Sequence, residues 1–213
     1  MLKDTGERII PKEMKPSNGM LLEHLARYYF AVPYARGNVL DIACGSGYGA
    51  QMIAKARKKH MTKIVGVDID LETIDYAKKT YNHPLLTFKT GDVFDSELIT
   101  DIGTFDTIIS FETLEHVPDD REFLTKISSL LKPGGTMVIS TPFGQGRGKP
   151  CKSPFHYHQL TEHEFLTLFT ENDDIFENVH FYYQQGVSIE NIKRPKVRYP
   201  LGIAVCNKRS NSR

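Results

Sequence analysis

From residue 39 onward the chain alternates short apolar runs with segments whose apolar residues recur at helical spacing. The apolar runs predict strands over 38–43, 63–67, 85–89, 105–111 and 135–141. The helical spacing predicts helices over 47–58, 71–81 and 119–131. Such alternation predicts a parallel sheet with helices on both faces. "LKPGGTMVIS" reads as a helix end, a Pro133-Gly134-Gly135 turn and a strand start. Earlier in the chain, Ser17 or Asn18 is placed to cap a helix over "GMLLEHLARYYFAV", which Pro33 helps to stop. Residues 1–16 are polar and broken by Pro11 and Pro16, so they read as an arm.

After Pro142 the pattern changes to the glycine- and proline-rich "FGQGRGKPCKSPFHYHQ", a long loop. Thr161 caps the next helix, with Glu164 in the capping-box position. Two further strands are predicted over 175–184 and 200–206. The basic stretch "KRPKVRYP", 193–200, reads as a solvated loop between them, and "NKRSNSR" as a frayed tail.

Composition narrows the class. With 213 residues, 40% hydrophobic and 25% charged, the chain suits one globular domain with a sizeable core. A formal net charge of +1 argues against a large nucleic-acid footprint. No apolar run is long enough to span a bilayer. The opening residues carry no apolar leader segment. Cys44, Cys151 and Cys206 are few and widely spaced. They read as reduced thiols, so a cytoplasmic location is expected.

The most informative stretch is "VLDIACGSGYGA", residues 39–50. It places a strand, a glycine turn and a helix start where open parallel sheets bind ligands. Glycines let the backbone approach a ligand, and the helix start offers free N–H groups. Gly45, Gly47 and Ala50 also satisfy a dinucleotide fingerprint, and Asp68 at the end of "KIVGVDID" suits a ribose in either cofactor class. Three features break the tie. Asp41 inside the first strand suits an ammonium group and opposes a pyrophosphate. Asp92 and Val93, in "FKTGDVFD", follow the third strand, where a side-chain acceptor can take an adenine amine. The fourth and fifth strands sit in "FDTIISFETLEHVPD" and "LKPGGTMVIST".

In this order, over residues 38–141, these motifs resemble the class I S-adenosylmethionine-dependent methyltransferases. Ala43 departs from the family's more usual glycine. The resemblance implies a Rossmann-like, doubly wound α/β fold whose mostly parallel seven-stranded sheet has an antiparallel last strand. It divides residues 1–213 into an N-terminal arm and lid helix (1–36), a cofactor-binding core (37–141), and a substrate-side loop, helix and final strands (142–213). It implies that Asp41 serves the methionyl amino end, and that the backbone at Ala43, Gly45 and Gly47 approaches the cofactor. It also implies that Asp68 holds the ribose, Ile69 stacks by the adenine, Asp92 and Val93 read the adenine, and Phe111 closes the pocket beside the sulfonium. Arg27 and Tyr28 belong to the lid helix.

For an oxygen acceptor, a base helps to remove the proton, and histidine is the natural candidate near pH 7. His116, in "LEHVPDD", is placed as a base or as a positioning residue, with Glu112 and Glu115 beside it. His156 and His158, in "SPFHYHQLT", fall on one side of an extended segment and can reach the acceptor. Cys151, His156, His158 and His163 match no standard zinc spacing, so no metal is expected. "GERIIP" and the "TPFGQGRGKP" to "PFHYHQLTEHEF" region resemble bacterial small-molecule or sugar methyltransferases. That resemblance implies an oxygen acceptor on a sugar or other small metabolite, while near-neutral charge and the lack of a spanning apolar run argue against nucleic-acid and membrane partners. The cofactor would be S-adenosylmethionine, leaving as S-adenosylhomocysteine. A non-catalytic cofactor-binding protein and an NAD-dependent oxidoreductase stand as alternatives.

Overall fold

The computed structural model describes residues 2, 6–151 and 153–210. Five strands lie parallel: β1 (Gly37–Ile42), β2 (Met61–Asp68), β3 (Leu86–Thr90), β4 (Phe105–Phe111) and β5 (Leu131–Pro142). Three follow in the second half: β6 (Phe176–Gln185), β7 (Ser188–Glu190) and β8 (Leu201–Lys208). The sheet order is β3-β2-β1-β4-β5-β8-β6-β7. β8 runs antiparallel to both β5 and β6, and β7 is antiparallel to β6.

The sheet therefore has eight strands where seven were expected, because three-residue β7 extends the β6 edge. The basic stretch from Lys193 thus follows β7 and leads into β8. The Pro133-Gly134-Gly135 turn also lies inside β5, which starts at Leu131 and pairs with β4 through an irregular register. Gly134 takes a positive φ of 71° there. Residues 1 and 3–5 of the expected arm, and residues 211–213 of the expected frayed tail, lie outside the described residues. Asn207 and Lys208 belong to β8.

Strand alternation sends neighbouring residues to opposite faces. Val39, Ile64, Ile109 and Val138 enter one core, against α1 (Gly19–Ala31), α2 (Tyr48–Arg57) and α3 (Leu71–Thr80). Leu40, Val65, Ile108 and Met137 enter the other, against α4 (Ser96–Ile102), α5 (Asp120–Leu130) and α6 (Glu162–Thr170). Burial on both faces explains the continuous apolar runs. Each fully buried Ile or Leu in them contributes roughly 1.5–3 kcal/mol.

Helix starts follow the expected chemistry. Asn18 caps α1 by accepting from Leu21 N at 3.1 Å. Thr161 and Glu164 form a capping box on α6. The order in which strands are added to the sheet reverses between β1 and β4, which opens a crevice beyond the carboxyl ends of these parallel strands.

Candidate active site

A cavity of about 890 Å³ fills that crevice. The residues following β1, β2, β3 and β4 line it, together with residues 7–9 of the arm, parts of α1 and the 155–159 segment.

The glycine turn after β1 divides its tasks. Gly45 has φ 53°, and a Cβ there would meet nothing within 4 Å, so its backbone faces open cavity. Its N–H donates to Asp68 Oδ2 at 2.8 Å. Gly47 has φ 87° at the start of α2 and does not line the cavity. A Cβ there would lie 2.6 Å from the Phe88 ring, so Gly47 packs helix on sheet rather than approaching a ligand. Ala43 lines the cavity at φ 58°, a left-handed conformation that costs a residue with a Cβ roughly 1–2 kcal/mol.

Asp41 is 1% exposed and lies behind the cavity wall rather than in it. Tyr28 Oη donates to both its carboxylate oxygens, at 3.1 and 3.2 Å. Burial pushes the Asp41 carboxyl up to about 7; the Tyr28 bond opposes the rise and Asp68 adds to it. Tyr28 lines the cavity and packs edge-on against Phe111, with ring centroids 5.1 Å apart.

Asp68 faces the cavity, and its second carboxylate oxygen accepts from Asp70 N at 3.0 Å. Burial raises its pKa, while the two N–H donors and Arg8 oppose the rise. Ile69 is 69% exposed beside it and gives the cavity an apolar lip. Asp92 and Val93 line the far end. Asp92 Oδ1 accepts from Phe94 N at 2.9 Å, closing the turn after β3. An open face at Gly45, a carboxylate held by two N–H donors and an apolar lip are groups that could hold an adenosyl ligand.

The opposite wall carries the imidazoles. His116 and His156 both line the cavity, with ring centroids 4.7 Å apart. His116 Nδ1 lies 3.1 Å from the Phe155 carbonyl oxygen. A carbonyl only accepts, so Nδ1 carries a proton, and in the neutral ring the lone pair is on Nε2. Burial and then His116 lower the pKa of His156. Glu112 and Glu115 do not hydrogen-bond His116. Glu112, at φ 51°, pairs with His24 Nε2 at 2.5 Å and with Arg27. Burial would raise its carboxyl, but His24 and Arg27 outweigh that and hold it at about 2. Glu115 accepts from Thr141 Oγ1 at 3.0 Å, and burial followed by Glu112 pushes its pKa up.

Besides Asp41 and Gly47, two more expected site residues lie outside the cavity lining. Arg27 is 1% exposed and bonds Gln184 Oε1 at 2.8 Å as well as Glu112, so it braces α1 on the sheet instead of forming a lid. His158 does not line the cavity; its Nε2 is 3.8 Å from Asp120 Oδ2, which Arg147 also holds. The chain bends at Tyr157, between the two histidines, so the alternation expected of an extended segment fails and they part.

Sequence reasoning missed the arm's part in the site. Arg8 pairs with Asp70 at 2.5 Å, Ser46 Oγ donates to Ile9 O at 2.6 Å, and Ser153 Oγ donates to Glu7 Oε1 at 2.6 Å. The only local signal was the buried Ile9–Ile10 pair in a polar stretch.

A family model described as a methyltransferase domain matches residues 35–191. A Mycolicibacterium smegmatis protein named "Probable S-adenosylmethionine-dependent methyltransferase/" is 28% identical over 189 residues, covering 86% of this chain and 70% of that protein. A ubiquinone biosynthesis O-methyltransferase of Coxiella burnetii is 36% identical over 105 residues, covering 49% of this chain and 43% of that protein. The plantazolicin methyltransferase solved with S-adenosylhomocysteine shares the fold, with a TM-score of 0.63 at 18% identity over 88% of this chain and 84% of that one.

Proposed function

The chain belongs to the class I S-adenosylmethionine-dependent methyltransferases, and on that premise we propose that it methylates an oxygen of a small acceptor, a sugar or another hydroxylated metabolite. S-adenosylmethionine is the cofactor; when bound it supplies an electrophilic methyl group and leaves as S-adenosylhomocysteine. The family assignment removes the dinucleotide alternative.

Asp68 orients the ribose hydroxyls, held in place by the N–H groups of Gly45 and Asp70. Ile69 and Val93 would hold the adenine, with the Asp92 carboxylate as acceptor for its amine. Phe111 and Tyr28 keep water from the reacting end. Asp41 acts on the amino end through Tyr28 rather than by direct contact. The acceptor lies against the wall of Glu7, His116 and His156.

The observation that carries the oxygen acceptor is that wall. It offers an imidazole fixed through Nδ1 in the cavity lining, together with a second imidazole whose pKa is lowered by burial. Such groups serve a hydroxyl that must lose its proton. Among the described residues, no helix is long and apolar enough to cross a membrane.

The test is incubation with methyl-labelled S-adenosylmethionine and a panel of sugars, hydroxylated aromatics and small amines. Label in a hydroxylated acceptor supports the reading. Label only in amines contradicts it, and no turnover despite cofactor binding favours a non-catalytic binding protein.

A further inference from the structure

Glu7, His116 and His156 come from three separate parts of the chain: the arm, the turn after β4 and the long loop after β5. Each offers one donor atom, and the three atoms lie within 4.8 Å of one another. A cation bound at roughly 2.0–2.2 Å draws such donors together by modest side-chain rotation. We propose that these residues form a site for a divalent transition-metal cation on the acceptor side of the cavity.

Two further observations support it. First, the donors are backed as metal ligands usually are. His116 Nδ1–H is fixed on the Phe155 carbonyl at 3.1 Å, which leaves Nε2 for a cation. The Glu7 carboxylate accepts from Ser153 Oγ at 2.6 Å. Second, the His156 side chain is only 10% exposed, yet its buried Nδ1 has no hydrogen-bond partner among the described residues. Its Nε2 stands 3.5 Å from Glu7 Oε1, beyond the 2.7–3.2 Å of a good hydrogen bond. Nε2 is the nitrogen that faces Glu7, and a cation there would supply the partner that this nitrogen lacks.

Two histidines and one carboxylate form a donor set for Zn²⁺, Mn²⁺, Fe²⁺ or Co²⁺ rather than for Mg²⁺ or Ca²⁺. The site differs from the set weighed from sequence: Cys151, His158 and His163 are not part of it. All three donors line the cavity, so a cation there is reachable by an acceptor oxygen and would polarise it as a Lewis acid, taking the place of His116 Nε2 as the aid to proton loss. That role rests on the oxygen-acceptor reading; the binding itself does not.

The test uses the full chain, stripped with EDTA and titrated with Co²⁺ under visible absorption, followed by Zn²⁺ competition. One Co²⁺ per chain is expected, with a d–d band that Zn²⁺ removes. Glu7→Gln and His156→Ala should each weaken binding at least about tenfold. His83→Ala, a ring tied to Leu85 N, should leave it unchanged. Absence of the band, or binding that survives both substitutions, overturns the site. Acceptor methylation with and without EDTA separates this inference from the acceptor reading. Methylation of a hydroxyl that EDTA leaves unaffected overturns the metal role alone. Co²⁺ binding with only amines methylated leaves the site standing and overturns the acceptor class.

Discussion

The ring of Tyr28 occupies the space that a side chain at position 49 would need: a Cβ on Gly49 would lie 1.9 Å from Tyr28 Cζ. The contact lets α1 and α2 close together and brings the Tyr28 hydroxyl to Asp41. Gly49→Ala should therefore displace Tyr28 and destabilise the fold by about 1–3 kcal/mol, the usual cost of overpacking. Urea unfolding measures it. A variant as stable as the parent would show that the ring yields freely.

Asp41 should make stability fall with pH. Its carboxyl is raised to about 7 in the fold, chiefly by burial, against about 3.9 for an exposed aspartate. Between those values the folded chain holds a proton that the unfolded chain has released, so stability declines from about pH 4 to pH 7 and flattens above. At about 1.4 kcal/mol per pKa unit the full effect is about 4 kcal/mol at most. Asp41→Asn should gain stability relative to the parent on going from pH 5 to pH 8. A constant difference between the two proteins would contradict this.

The Glu112–Arg27 pair has the opposite sign. Glu112 is held at about 2, so its pairing stabilises the fold above pH ~4.5 and is lost as pH falls toward 2. Arg27→Met leaves that carboxylate without its guanidinium partner and Gln184 without a donor. It should cost about 3–5 kcal/mol at pH 7, the range for breaking a buried pair, and flatten the acid limb. A loss under ~1 kcal/mol at pH 7 would mean that His24 suffices.

Ala43 sits at φ 58° where glycine is unstrained. Ala43→Gly should relieve about 1–2 kcal/mol of strain and lose roughly 0.4–1 kcal/mol to the freer unfolded chain. The net expectation is a stability equal to or slightly above the parent in thermal unfolding. A clear loss would mean that the Ala43 methyl makes contacts worth more than the strain.

The part of the cavity wall that follows β1 and β2 was legible because its signals are local. A buried strand, a glycine turn and a strand-end carboxylate are read from consecutive residues, and Gly45 and Asp68 do meet through a 2.8 Å bond. The motifs did not reveal that Asp41 lies behind the wall, since burial depends on where α1 packs. α4 has seven residues and β7 three, too few for a period to show. His156 and His158 look equivalent in sequence, and the bend at Tyr157 between them sends one to the cavity and the other to Asp120. Glu7 and Arg8 reach the site through contacts with Ser153 and Asp70, distant in the chain, which no local pattern encodes.

The most direct test is calorimetric titration of the full chain and of Asp68→Ala with S-adenosylhomocysteine. The parent should bind in the micromolar range, about −8 kcal/mol. The variant, lacking the carboxylate that faces the cavity, should bind about 1–3 kcal/mol more weakly while remaining folded. Equal affinity in parent and variant, or no binding by the parent, would contradict the placement of the cofactor in this cavity.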